Sequence, residues 1–237
     1  IHLNIGNGLH NIVYTGDLKF ARTNLLDAAA TQFPRVETLI IESTYGGKDN
    51  IMKSPYESDA NFVELVKRTI ERGGKVLLPV LGSGRAQEII VIIDRLVREG
   101  KLPRIPIYLD GMLWDITAIY TAYPEYLNRN VRKLIFHKDE NPFMSDILHR
   151  VGSKKERQKV IEETGPCIIC ATSGMLNGGP SVEYLKGLAE NKNNTLAFSS
   201  YQGEQTLGRR IQNGEREITF MEEGRPRVYK INMDVDR

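Results

Sequence analysis

The chain has 237 residues, of which 41% are hydrophobic and 26% are charged, and its formal net charge is +2. A chain of this length can bury the core of one or two domains, and its small net charge limits nucleic-acid binding to local clusters of basic residues. No apolar stretch is long enough to span a bilayer, and no signal peptide is visible. The two cysteines cannot form a disulfide framework, so we predict a cytoplasmic protein without membrane association.

The first 46 residues are predicted to be rich in β-structure. Short apolar runs at 2–5 and 11–14 flank Gly6-Asn7-Gly8, a pattern typical of a β-hairpin. A stretch of turns and helix should follow, and a third strand is predicted over 36–41. Because Ile1 is not an initiator Met and already lies in a strand pattern, we expect the chain to be part of a longer protein.

Two carboxylates follow strands of this first segment. Asp17 comes directly after the second predicted strand, and Glu42 directly after the third. If these strands are neighbours, both side chains could face one cleft and bind a metal ion or transfer protons. Capping of the next turn is the simpler role for each residue, and spacing alone favours it.

From Ser54 to Ile211, helix and strand patterns alternate, which favours a doubly wound, mostly parallel α/β sheet. Ser54-Pro55-Tyr56-Glu57 is a capping box that begins the first helix. The predicted strands are 76–81, 105–109, 167–172, 195–200 and, closing the chain, 218–221 and 228–233. The predicted helices are 54–71, 85–98, 113–126, 181–189, 206–211 and one that begins at Ser153. The simplest arrangement is an α/β module inserted into a β-rich host domain.

Four of these strands end in loops of small or polar residues, LGSGR, DGM, TSGMLNGGPS and SYQGEQTLGRR. In a parallel sheet all four loops lie at the carboxyl edge, where α/β folds bind ligands. They offer backbone N–H groups and arginines for phosphates and a tyrosine on which a base can stack. We therefore predict a groove that binds nucleic acid or a nucleotide. Its candidate residues are Ser83, Gly84, Arg85, Ser173, Gly174, Met175, Tyr201, Thr206, Arg209 and Arg210.

Cys167 and Cys170 form a C-x-x-C pattern within a predicted strand, where alternation places the two thiols on opposite faces. We predict core thiols rather than a zinc or redox site. The four histidines have no spacing typical of metal ligands.

Six motifs occur in an order that resembles the metallo-β-lactamase/β-CASP nucleases, in particular the archaeal relatives of the cleavage and polyadenylation specificity factor endonuclease. They are TGD at 15–17, ESTYGG at 42–47, GRAQE at 84–88, YLDGM at 108–112, SGMLNGGPS at 173–181 and TLGRR at 206–210. The resemblance implies a doubly wound β-CASP domain over 47–225, inserted into a metallo-β-lactamase αββα fold. Residues 1–46 would be part of that fold, and 226–237 would be the strand that returns to it.

The resemblance also implies a zinc-dependent ribonuclease that acts in RNA 3′-end formation and transcription termination. The implied activity is that of an endonuclease, and a 5′–3′ exonuclease activity is left open beside it. Asp17 matches the family's carboxylate that bridges two zinc ions, and Glu42 matches an acidic residue that assists catalysis. The family's other metal-ligand motifs would lie before Ile1 and after Arg237. We therefore expect this chain alone to bind zinc weakly and to be inactive. A homodimer and the transcription machinery are the partners implied for the complete protein, besides RNA.

Two alternatives stay open on the residues alone. The chain could be a non-catalytic clamp that binds RNA without cleaving it, or an α/β domain that binds a mononucleotide at Gly82-Ser83-Gly84-Arg85. The second alternative has no P-loop lysine and no dinucleotide fingerprint in this turn.

Overall fold

The computed structural model describes residues 1–48, 50–51 and 54–236. The strands are β1 His2–Ile5, β2 His10–Tyr14, β3 Thr38–Ile40, β4 Val76–Pro79, β5 Ile107–Asp110, β6 Leu148–Val151, β7 Ile168–Ala171, β8 Thr195–Ala197, β9 Glu217–Glu222, β10 Arg225–Lys230 and β11 Asp234–Asp236. The helices are α1 Pro55–Glu71, α2 Arg85–Arg98, α3 Leu113–Ala122, α4 Arg129–His137, α5 Lys154–Glu162, α6 Pro180–Leu188 and α7 Leu207–Gln212. No helix among the described residues is long and apolar enough to cross a bilayer.

Six strands form one sheet in the order β11-β8-β4-β7-β5-β6, and every neighbouring pair in it is parallel. The four inner strands are buried on both sides, which explains why they are continuous apolar runs in the sequence. The predicted doubly wound parallel sheet is confirmed. Its carboxyl edge carries the loops after β4, β5, β7 and β8.

The hydrophobic core lies on both faces of this sheet. Leu78 of β4 and Cys170 of β7 pack toward α1, α2, α3 and α4 on one face, and Leu77 and Cys167 pack toward α5, α6 and α7 on the other. The two thiols therefore lie on opposite faces, as the alternation of a strand predicts. Burial raises the pKa of Cys167 to about 11 and that of Cys170 to about 12, so both are protonated core groups.

The first segment forms a small separate sheet in the order β1-β2-β3. β1 and β2 make the predicted hairpin, and β2 and β3 are parallel neighbours. The helix predicted between β2 and β3 is wrong, because residues 18–35 contain bends and irregular backbone instead. Thr23 organises part of this stretch, since its hydroxyl accepts the backbone N–H groups of Leu25 and Leu26.

Among the described residues, α4, β6 and β11 are elements that the sequence pattern did not predict. Asn128 begins α4, because its side-chain oxygen accepts the backbone N–H groups of Asn130 and Val131. At the end of the chain, β11 pairs with β8 in the six-stranded sheet, and β10 pairs with β9 in a hairpin. The boundaries at 47 and 226 remain predictions.

Candidate nucleic-acid interface

The loops at the carboxyl edge of the large sheet pack directly against one another. A Cβ atom at Gly111, after β5, would lie 2.3 Å from the hydroxyl of Thr172, after β7. A Cβ atom at Gly174 would lie 3.0 Å from the backbone nitrogen of Leu81, after β4. Gly174 is itself buried. These glycines therefore allow the loops to contact one another. Because Leu81 lies against Gly174, a phosphate chain has no space to approach Gly174 from the side of Leu81.

The turn after β4 is held together by its own hydrogen bonds. Gly84 has a φ of +83°, and its N–H donates to the side-chain oxygen of Gln87 at 2.8 Å. The Arg85 guanidinium donates to Glu88 at 2.8 Å, and the other oxygen of Glu88 accepts the backbone N–H of Asn24 at 3.2 Å. Arg85 therefore neutralises a nearly buried carboxylate, and this carboxylate in turn links the first segment to α2. Ser83 is exposed and lies 3.3 Å from the Tyr120 hydroxyl.

In the loop after β7, the candidate residues also serve the loop itself. The Ser173 hydroxyl accepts the backbone N–H of Asn177 at 2.9 Å, and the Ser173 carbonyl accepts the Ser181 hydroxyl at 2.8 Å. The half-buried Met175 accepts the N–H of Gly208 through its carbonyl oxygen at 3.1 Å. This bond ties the loop after β7 to α7.

The loop after β8 presents an aromatic ring and a cation together. The guanidinium carbon of Arg209 lies 5.2 Å from the centroid of the Tyr201 ring. Within the described residues Arg209 has no carboxylate partner, and its Nε is buried without a hydrogen bond. Tyr201 is 42% exposed. A stacked guanidinium with free donors beside an exposed ring matches the groups that bind phosphates and bases.

The other two candidates of this loop have local partners. Thr206 begins α7, since its hydroxyl accepts the backbone N–H of Arg209 and donates to the Gly203 carbonyl at 2.7 Å. Arg210 forms a bidentate pair with Glu215, and its Nε donates at 2.7 Å. Arg210 therefore carries little free positive charge, in contrast to Arg209.

Asp17 and Glu42 follow the two parallel strands β2 and β3 and lie at the same edge of the small sheet. The Glu42 carboxylate accepts the backbone N–H of Thr44 at 2.7 Å, and this bond, with a smaller contribution from the Leu18 N–H, lowers the pKa of Glu42. Asp17 is exposed, and its carboxylate has no partner among the described residues. These residues contain no group of three or more His, Cys, Asp or Glu that could hold a metal ion. Asp17 would therefore be a single ligand, and the described residues do not fit a complete zinc site.

Tyr45 joins the two edges. Its ring contacts the Tyr201 ring edge to face, with centroids 6.3 Å apart and an interplanar angle of 89°. Tyr45 follows Glu42 by three residues, so the contact places the segment after β3 against Tyr201, the ring that Arg209 also contacts. We call Asp17, Glu42, Tyr45, Tyr201 and Arg209 the joined edge.

Two residues of this region were missed by the sequence analysis. Tyr45 lies within the ESTYGG motif, and that position was the available signal. Gln202 is buried, and its amide donates to the Gly174 carbonyl at 2.9 Å, which links the loops after β7 and β8. A polar residue in a polar loop gives no sequence signal of such burial.

Residues 86–211, more than half of the chain, match the family model described as the Beta-Casp domain, and the chain belongs to this family. The predicted β-CASP membership is confirmed. Among curated proteins, the chain is similar to the transcription termination factors FttA of Pyrococcus horikoshii, with 53% identity over 236 residues, Methanocaldococcus jannaschii, with 51% over 235, and Lokiarchaeum sp., with 48% over 236. Each match covers 99% of this chain and 36–37% of the relative, so the chain spans about a third of the length of the curated relatives it matches.

Proposed function

We propose that this chain provides one RNA-binding wall of a zinc-dependent ribonuclease that cleaves phosphodiester bonds in transcription termination. The observation that carries the proposal is the contact between Tyr45 and Tyr201, which joins the segment that follows Glu42 to the Tyr201–Arg209 pair on the β-CASP sheet. The names of the relatives support the role in termination.

The chain's own residues would bind and orient RNA. Arg209 offers guanidinium donors to a phosphate, and Tyr201 offers a ring face or edge to a base. Because its pKa is lowered, Glu42 is ionised at neutral pH, so it would accept hydrogen bonds or orient a positive group rather than act as a general acid. Ser173, Gly174 and Thr206 would shape the loops that hold these groups.

The proposed zinc centre would use Asp17 as one ligand and take its other ligands from residues outside this chain. Zinc would supply Lewis-acid activation of the phosphodiester. By itself the chain is then an RNA clamp, and this second candidate function is favoured by the lack of a metal-binding group among the described residues. The mononucleotide alternative is weakened, because Glu88 already neutralises Arg85 in the turn after β4.

Four finer points belong to the same proposal. We propose that the complete protein carries two zinc ions, that it forms a homodimer and that it contacts the transcription machinery. We also propose a cytoplasmic location, which agrees with the unpaired Cys167 and Cys170. Whether cleavage is internal or proceeds from the 5′ end is an outcome of the experiment below.

The experiment replaces the matching 236 residues of the Pyrococcus horikoshii relative with this chain and follows cleavage of end-labelled single-stranded RNA. We expect the chimera to cleave RNA only with zinc, and Asp17→Asn to reduce the rate by about 100-fold or more because a ligand of the reacting metal is lost. The fragment pattern distinguishes internal cleavage from removal of terminal nucleotides.

Two controls make the result decisive. Asp27→Asn in the same chimera removes an exposed carboxylate that pairs with Arg22, and it should leave the rate unchanged. The 237-residue chain itself should bind RNA without cleaving it. A folded chimera without zinc-dependent cleavage, or one in which Asp17→Asn is as active as its parent, would contradict the proposed ribonuclease.

A further inference from the structure

Helix α4 presents a stripe of cations and one aromatic ring. Arg129, Arg132, Lys133 and Phe136 follow one another at i, i+3, i+4 and i+7, so they lie on one face of the helix. Val131 of the opposite face is buried in the core. Phe136 is 59% exposed, and Arg129 and Lys133 are also exposed. We call these four residues the α4 stripe.

The positive charge of the α4 stripe is not neutralised. Among the described residues, Arg129, Arg132 and Lys133 have no hydrogen-bond or ion-pair partner for their side chains. The helix contains no Asp or Glu. Elsewhere arginines of this nearly neutral chain pair with carboxylates, such as Arg95 with Asp59 and Arg104 with Asp146. An unpaired cluster of this kind in such a chain indicates a surface that meets an anionic partner.

Hydrogen bonds connect the start of α4 to the segment between β2 and β3. The Asn128 side chain donates to the Thr23 carbonyl at 3.0 Å, and the Asn128 backbone N–H donates to the Leu25 carbonyl. Asn24, between these residues, donates to Glu88, the partner of Arg85. Residues 23–25, which hold the start of α4, therefore belong to the segment that follows Asp17 in the chain.

We propose that the α4 stripe is a second RNA-binding surface, which holds the backbone of a single strand that extends beyond the joined edge. The inference rests on the proposed RNA-binding function. Arg129 and Phe136 are about 10 Å apart along the helix, a length that matches a few nucleotides. Phe136 favours RNA over an acidic peptide, because an exposed ring beside cations stacks on bases, whereas a carboxylate-rich segment offers no such surface.

The test compares RNAs of two lengths on the folded 237-residue chain by fluorescence anisotropy. We use labelled oligouridylates of 6 and 20 nucleotides, so that only the longer one can reach both surfaces. Arg129→Gln/Arg132→Gln/Lys133→Gln should lower the affinity for the 20-mer by about tenfold. It should also reduce the slope of log affinity against log salt concentration by about 2, since each phosphate contact of a single strand contributes roughly 0.7. The 6-mer should change by less than about twofold. Phe136→Ala should weaken the 20-mer about fivefold with an unchanged salt slope.

The matched control removes the same charge from another helix. Lys154→Gln/Lys155→Gln/Lys159→Gln acts on exposed lysines of α5, where acidic residues are interspersed, and should leave both affinities within about twofold. Circular dichroism and urea unfolding confirm that each variant is folded. A 20-mer affinity that the α4 variant does not change, or that the α5 variant changes equally, overturns the inference while the proposed function stands.

Two further outcomes are distinguishable. If the unaltered chain binds neither RNA, the proposed function fails, and the inference fails with it. If a labelled 20-residue polyglutamate binds the chain, loses affinity in the α4 triple variant and keeps it in Phe136→Ala, the stripe is a site for an acidic protein segment, and the RNA assignment is overturned.

Discussion

Two strand–turn–helix units of the same sheet, β4–α2 and β8–α7, use arginine in opposite ways. In β4–α2, Arg85 is paired with Glu88, which also accepts a hydrogen bond from the first segment of the chain. In β8–α7, Arg209 has no carboxylate partner among the described residues and lies over an exposed tyrosine ring. Both units contain the small residues and the arginine that are typical of a ligand-binding loop.

The difference teaches that loop composition does not identify a binding group. A guanidinium that already meets a carboxylate has lost most of its attraction for phosphate, because the pair is nearly neutral and its donors are occupied. Whether an arginine can bind phosphate depends on whether a carboxylate reaches it. Glu88 reaches Arg85, and Glu215 reaches Arg210. Arg209 is left as the cation of the joined edge.

The largest effect is expected from Gly208→Ala, which should break the β8–α7 unit. A Cβ atom at Gly208 would lie 1.8 Å from the side-chain oxygen of the buried Gln202 and 3.1 Å from the Phe198 ring, so the Gln202 amide would have to shift. The hydrogen bond that the Gln202 amide donates to the Gly174 carbonyl would be lost. We expect the free energy of unfolding to fall by about 3 kcal/mol in urea titrations.

The control for this change lies in the same loop. Gly203→Ala places its Cβ atom no closer than 3.5 Å to any neighbour, so stability should change by less than about 0.5 kcal/mol. Equal losses in the two variants would show that the loop after β8 is not organised around Gln202.

The next effect separates the two arginines. Arg209→Ala should weaken binding of single-stranded RNA by about tenfold, or about 1.4 kcal/mol, with little change in stability. Arg85→Ala should leave RNA affinity within about twofold but reduce stability by about 1–2 kcal/mol, because Glu88 loses its cation in a largely buried site. Anisotropy and urea unfolding on both variants measure the two quantities.

Arg210→Ala is the matched control for charge, since it also removes one arginine from α7. Its side chain is occupied by Glu215, so RNA affinity should fall by less than about twofold. If Arg85→Ala lowers RNA affinity as much as Arg209→Ala, the β4 turn binds RNA after all and the contrast between the units fails.

Local patterns explain how much of the fold was predictable from the sequence. The buried strands β4 and β7 are uninterrupted apolar runs, and the capping box at Ser54 and Glu57 begins α1 as predicted. β6 was missed because it is an outer strand with exposed residues at its centre. Helix α4 was missed although Asn128 and the apolar positions of its inner face gave a signal.

The candidate site was predictable as an edge but not as a set of partners. Parallel strands place their ends together whatever the side chains are, so the joint position of the loops after β4, β7 and β8 followed from the pattern. The contact of Tyr45 with Tyr201 depends on a tertiary distance, whereas the pairing of Arg85 with Glu88 is an i,i+3 contact within α2. A single sequence carries no information on such distances unless spacing imposes them.

The smallest effect is expected on the rate at which the buried Cys170 thiol is labelled, and it compares Arg85 with Arg209. Cys170 lies on β7, beside β4, and burial raises its pKa to about 12. At pH 8 the folded thiol is therefore protonated and inaccessible, so a thiol reagent reacts only when the sheet opens. In a Cys167→Ala background, Arg85→Ala should accelerate labelling about fivefold, because Glu88, which links α2 to the first segment, loses its cation in a largely buried site. Arg209→Ala should leave the rate unchanged.

The pH dependence of labelling tests whether Cys170 reacts only when the sheet opens. An opened thiol ionises near its ordinary pKa of about 8.5, whereas the folded one does not ionise below about 12. Labelling should therefore rise between pH 7 and 9 and then level off, and the stability contributed by the protonated thiol should decline as pH rises above about 8.5. Equal acceleration by Arg85→Ala and Arg209→Ala would mean that both loops brace the core, and Arg209 would then be a structural residue like Arg85.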